Sequence, residues 1–249
     1  MTTIKTFYHK EDNNLGDVLT PIILHWITKG VPVQHVSPKQ KGKLLAAGSI
    51  IPNKLCENDI VWGSGSLREN HFTLPKGSKV YAVRGKLTRN LIEQDISEVY
   101  GDPAILMPQI YNPKVLKIRR VGYLPHFTDY WYIRGRYGSK HTIPILQDPK
   151  ETIRRMLQYE MIITSSMHGV ILAEAYGIPV VWAKLIDPIY RKEKGDEFKF
   201  RDYFSVTNRK ISSVPWEDAV ITKNVIERKT TDPNPLLDAF TKLWKENYV

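Results

Sequence analysis

An α/β fold is predicted for this chain by three observations. Short apolar runs recur along it, and most end in small or polar residues. Between several of them lie longer stretches in which apolar side chains return at helical spacing. Of 249 residues, 42% are hydrophobic, enough for a sizeable core. Strands alternating with helices imply parallel sheets, because only a crossover returns the chain in the same direction.

The elements follow in order. Residues 3–8 alternate and are rich in β-formers, so they read as a strand. After the polar loop from His9 to Gly16, Asp17 can cap a helix running to Lys29, with Leu19, Ile22, Ile23, Trp26 and Ile27 as its apolar side. Apolar segments then recur at 31–36, 43–47, 59–62 and 79–83. A helix is expected over 85–94, and Gly101-Asp102-Pro103 turns the chain before apolar Ala104 to Met107. Residues 108–118 hold two prolines and little periodicity, and read as a linker. A second set comprises strands at 119–124, 142–145, 161–164 and 179–183, with helices at 149–158 and 167–176. The charged stretch 187–202 reads as a loop or short helices. Leu236, Leu237, Phe240, Leu243 and Trp244 share one face of a final helix over 234–247. Two Rossmann-like domains result, 1–115 and 116–249, with parallel sheets facing a central cleft and the last helix placed to pack back on the first half. Clefts of this kind are where small ligands usually sit.

Composition narrows the partners. The net charge of +10 favours anions such as phosphates, carboxylates, nucleic acid or anionic lipid. The basic clusters are short, as in Lys39–Lys43 and Arg191–Lys194, and no zinc-ligand or aromatic-basic sheet signature accompanies them, so nucleic acid is not the expected partner. No metal-ligand spacing appears among the histidines and the single cysteine. No apolar run approaches the roughly 18 residues of a membrane span. The first residues lack the pattern of a secretory signal, and Cys56 alone excludes an internal disulfide, so cytoplasmic residence is expected.

Five patches place small or polar residues where an apolar strand ends: Asn13-Asn14-Leu15-Gly16-Asp17, Gly63-Ser64-Gly65-Ser66, Val83-Arg84-Gly85, Gly101-Asp102-Pro103 and Ser165-Ser166-Met167-His168-Gly169. Any one of them could be a plain turn. In a doubly wound fold all five face one sheet edge and can converge on an anion. His168, at the start of a helix, can hold an anion there or give up a proton. A satisfied structural histidine is the plainer alternative. The glycine-serine patch has neither phosphate-loop nor dinucleotide-loop spacing.

The ordered set Asn14-Leu15-Gly16-Asp17, Gly63–Ser66, Val83-Arg84-Gly85 with Leu87-Thr88, Gly101–Ala104, and Ser166–Gly169 followed by Ala173 to Pro179 resembles the polysaccharide pyruvyl transferase family. The resemblance spans residues 10–205, and Val121 to Phe127 is similar to the start of the family's second half. It implies a two-domain fold similar to the GT-B glycosyltransferases. It also implies transfer of the pyruvyl group of phosphoenolpyruvate, without a cofactor, onto two hydroxyls of a sugar in a polysaccharide or lipid-linked glycan precursor, as a cyclic ketal. Such chemistry needs cations for a trianionic donor and a general acid for its C3. By resemblance Arg84, His168 and Lys184 fill these roles, with Asp17 as base toward the acceptor. Ser166, Gly169, Gly65 and Ser66 are then expected at the donor, and Asn14, Asp17 and His126 at the acceptor.

Alternatives stand beside these roles. Arg84 can pair internally with Asp102 or Asp17, Lys184 can be an ordinary surface lysine, and Asp17 can be only a helix cap. A nucleotide-sugar glycosyltransferase of the same architecture is the rival enzyme, with Glu174 offered to the ribose. A non-catalytic carbohydrate- or anion-binding protein is the rival without chemistry. The cluster Tyr130, Trp131, Tyr132, Arg134 and Arg136 reads as a sugar and pyrophosphate contact or as an edge strand with surface arginines. Residues 191–201 read as a lid, a contact with the inner membrane surface, or a solvated loop.

Overall fold

The computed structural model describes residues 2–10, 14–185, 196–207, 211–221, 225 and 232–249. It is an α/β structure with two parallel sheets. Strands β1 (Ile4–Thr6), β2 (Val33–His35), β3 (Leu44–Leu45), β4 (Ile60–Trp62) and β5 (Lys79–Ala82) form the first, in the order β2-β1-β3-β4-β5. Strands β6 (Arg119–Leu124), β7 (Tyr159–Thr164), β8 (Val180–Lys184) and β9 (Val214–Pro215) form the second, in sequence order. In the first sheet the order reverses between β1 and β3. That is a topological switch point, where loops leave the strand ends in opposite directions and open a crevice.

Helix α1 (Leu15–Ile27) follows β1 and buries Leu15, Leu19, Ile23 and Leu24 at helical spacing. Its N-cap is Asn14, so Asp17 lies inside the first turn rather than capping it. Beyond α1 the first half differs from the expected alternation. Irregular loops join β2 through β5, and the next helix is the short α2 (Lys86–Leu91). A 3-10 turn, Pro103–Leu106, runs into α3 (Met107–Ile110), so the expected linker begins helical and is irregular only over 111–118.

The expected strand at 142–145 is a single bridge from Thr142 to Tyr123, with Ile143 and Ile145 buried. The Tyr130 cluster is neither strand nor edge: it forms α4 (Tyr130–Tyr137), with Ile133 buried and Trp131 outward. Helix α5 (Pro149–Met156) is capped by Asp148, whose side chain accepts from the backbone N–H of Lys150 and Glu151. Helix α6 (Met167–Ala175) follows β7 and is buried from Met167 to Glu174, as an element sandwiched on all sides must be. Helix α7 (Asp196–Ser205) takes the helical alternative in the second part of the charged stretch, while 186–195, with the first part of the stretch 191–201, lies outside the described residues.

Helix α8 (Asn234–Asn247) lies on the first sheet. Trp62 Nε1 donates to the Leu236 carbonyl at 2.9 Å, Trp62 packs edge-on against Phe240, and Tyr81 donates to Glu246 at 2.6 Å. One apolar core joins Leu15, Trp62, Ile162, Val170 and Phe240, so both sheets bury surface against common elements. Among the described residues no helix is long and apolar enough to cross a membrane.

Candidate active site

The Pro103–Leu106 turn packs between α1 and α6. That position brings three sequence patches together: the first turn of α1, the Gly101-Asp102-Pro103 corner and the start of α6. Asp102 caps the turn, its Oδ1 accepting from the Ala104 backbone N–H at 3.0 Å. Its Oδ2 lies 3.5 Å from His168 Nε2. Both atoms are buried, and among the described residues neither has a hydrogen-bond partner. A buried polar pair left at that distance costs stability, and such unsettled pairs concentrate where a site must tighten around a substrate.

Gly16 explains how α1 comes so close. A Cβ at this position would overlap the His168 imidazole, with Nδ1 and Cε1 nearest. The next residue, Asp17, accepts from Asn14 Nδ2 at 2.8 Å through Oδ2. Burial pushes the Asp17 carboxyl above the usual carboxylate range; the nearby His168 pulls it back, and the charge of Asp102 pushes it up again. Gly48, in the loop after β3, has φ +108° and leaves room beside Asp17 Oδ1. The centre thus lies at the β1/β3 switch point, where topology opens the crevice.

Arg84 sits elsewhere in character. It is fully buried. Its Nε donates to Asp202 at 2.9 Å, Nη2 to the Ser66 carbonyl at 2.6 Å, and Nη1 to Ser49 Oγ. Asp202 also accepts from the Thr88 N–H and hydroxyl, each at 2.7 Å. The expectation of an open fork for a donor anion therefore meets a guanidinium already bonded through all three nitrogens. Its carboxylate is Asp202 of α7 rather than Asp102 or Asp17. Gly65 is small for the same reason: a Cβ would press into the guanidinium.

The other expected residues are placed as follows. Ser166 is the α6 N-cap, accepting from the Gly169 N–H at 3.4 Å. Gly169 itself packs on Thr164, which leaves no room for a Cβ. Ser66 donates to the Arg68 carbonyl at 2.6 Å. Lys184 ends β8, half exposed, 2.7 Å from Glu197. His126 donates its backbone N–H to Ser165 Oγ at 2.9 Å, at the same strand edge as α6. Glu174 is buried within α6 and not presented to a ribose.

Sequence reasoning missed Asp202, Ser49 and Gly48. Asp202 lies in the charged stretch read as a loop or short helices, where nothing in the sequence marked it as the partner of Arg84. Asp102 was visible as part of a turn but not as the partner of His168.

Residues 42–183 match the family model described as polysaccharide pyruvyl transferase. The matched span includes Arg84, Asp102 and His168 and excludes Asn14 and Asp17. The chain is 28% identical over 162 residues to an uncharacterized protein, L143, of Acanthamoeba polyphaga mimivirus, covering 60% of this chain and 55% of that one. It is 27% identical over 187 residues to the succinoglycan biosynthesis protein ExoV of Rhizobium meliloti (strain 1021), covering 70% of this chain and 57% of that one. The chain thus matches little more than half the length of these curated relatives.

Proposed function

The chain belongs to the polysaccharide pyruvyl transferase family, and on that premise we propose that it transfers the enolpyruvyl group of phosphoenolpyruvate to two hydroxyls of a sugar. The acceptor is a polysaccharide or lipid-linked glycan precursor on the cytoplasmic side, where the donor is made. The products are a cyclic pyruvate ketal and phosphate. The observation that carries this reading is His168, buried between Asp102 and Asp17 at the sheet edge.

His168 protonates C3 of the enol, which makes C2 electrophilic. A sugar hydroxyl adds to C2 and gives its proton to Asp17, whose burial raises its affinity for one. Phosphate leaves with the C–O electrons and takes up the proton held by Asp17. The second hydroxyl closes the ring, and its proton returns to His168. Asp102 is a positioning residue: its carboxylate faces Nε2 and fixes the ring. Lys184, released from Glu197, and the N-terminal end of α6 meet the donor's negative charge. Asn14 orients Asp17, and His126 lines the acceptor side. Arg84 serves this site from behind, holding the turns at Ser49, Gly65 and Ser66. In a GT-B-like arrangement residues 1–115 carry the acceptor side and 116–249 the donor side.

Phosphate release from phosphoenolpyruvate with a glycan acceptor tests the proposal. His168→Ala is expected to lose on the order of 10²–10⁴ in rate while remaining folded, and Asp102→Asn to lose less. Unchanged turnover in His168→Ala would remove the histidine from the mechanism. A wild-type chain that neither releases phosphate nor gains thermal stability from phosphoenolpyruvate would sink the whole reading.

A further inference from the structure

Residues 112–120 connect the two sheets and enter β6, the edge strand of the second sheet. Along this stretch Lys114, Leu116, Lys117, Ile118 and Arg120 are exposed, while Val115 and Arg119 are partly covered. The exposed strip reads cation, aliphatic, cation, aliphatic, cation. Leu116 is 83% and Ile118 62% exposed, an unusual pairing for large aliphatic neighbours. Fraying does not account for it, because the Ile118 and Arg119 N–H groups both donate to the Gln158 carbonyl.

The charge is as one-sided as the shape. From Pro103 to Thr128 the sequence holds Lys114, Lys117, Arg119 and Arg120 and no aspartate or glutamate. Among the described residues none of these four forms an ion pair. The acid that comes closest in register is Glu160, on β7 beside Arg120.

We propose that this strip docks the protein on an anionic phospholipid surface, with Leu116 and Ile118 entering between headgroups and Lys114, Lys117 and Arg120 meeting lipid phosphates. Other occupants fit less well. A nucleic acid backbone would satisfy the cations and leave both aliphatic side chains in water. A second copy laid antiparallel on the same strip would set Lys114 against Arg120, cation on cation. An anionic bilayer offers negative charge and an apolar layer together.

Co-sedimentation of the full chain with vesicles tests this directly. Binding is expected to phosphatidylcholine vesicles containing phosphatidylglycerol and not to phosphatidylcholine alone, falling as salt rises. Lys114→Gln/Lys117→Gln and Leu116→Ser/Ile118→Ser should each weaken it about tenfold or more, with unchanged thermal midpoints. Variants that bind as tightly as the wild type would overturn the proposal. So would a cation variant that alone weakens binding, matched by an equal loss on a homopolymeric RNA, or a serine variant whose only effect is loss of self-association. The pyruvyl-transfer reading is tested separately, since these variants should keep phosphate release with a water-soluble acceptor.

Discussion

Asp17 and Asp102 show how two like residues take different work from their surroundings. Asp102 spends one oxygen on a backbone N–H and turns the other to His168. Asp17 accepts from the Asn14 amide, and its burial favours the neutral form. Because its folded-state pKa is raised above the ordinary 3.8, Asp17 stabilises the fold fully below that pH and loses the contribution as pH rises through the folded value. Asp17→Asn, a neutral isostere, should therefore raise the thermal midpoint at neutral pH, with the gain vanishing as pH falls toward 3.8. Turnover should fall in the same variant. Thermal scans across pH check the first part, and a midpoint unaltered at every pH would mean that ionised Asp17 carries no burial cost. The opposition of stability and activity is expected where a site keeps a charge inside the protein.

At the scale of elements the decisive joint is α7 on α2. Asp202 reaches from α7 to Arg84 and Thr88, and Arg84 passes the constraint on to the loops after β3 and β4. Gly85 lets the elements close, since a Cβ there would overlap the Asp202 backbone. The pair is fully buried, so removing one partner strands the other. Asp202→Ala should cost about 3–5 kcal/mol in urea unfolding. Loss of less than about 1 kcal/mol would mean that Arg84 is satisfied by Ser49 and Ser66 alone. If Asp202→Asn keeps its stability but loses phosphoenolpyruvate binding, Arg84 would return to the donor site.

For the whole molecule the question is whether two sheets make two folding units. The shared core argues for one: α8 from the end of the sequence packs on β4 and β5, and α1, the Pro103–Leu106 turn and α6 form a continuous layer. Phe240→Ala removes a buried ring from against Trp62 and should cost about 3–5 kcal/mol. Fluorescence and circular dichroism should report one common transition, shifted down. Two transitions, with only the first displaced, would show that the halves unfold separately.

Local patterning was enough to read the repeating elements. The spans of β6, α6 and α8 follow from apolar periodicity and bounding turns, because burial on one face leaves its period in the sequence. The five polar patches and the place of His168 at a helix start were legible for the same reason, and their order was sufficient to suggest the family. The partners of those residues were not. His168 meets Asp102 from 66 positions away, and Arg84 meets Asp202 across 118. Neither pairing leaves a periodic trace, since each depends on which elements pack against which. Helix α4 was hidden because a short segment with one buried residue, Ile133, has almost no apolar stripe. Composition and spacing determined that this is an α/β chain with anion-ready turns. Only the packing of α1, the Pro103–Leu106 turn and α6 decided that Asp17, Asp102 and His168 share one buried centre, because close approach depends on the space left at Gly16 and Gly48, which the tertiary arrangement alone defines.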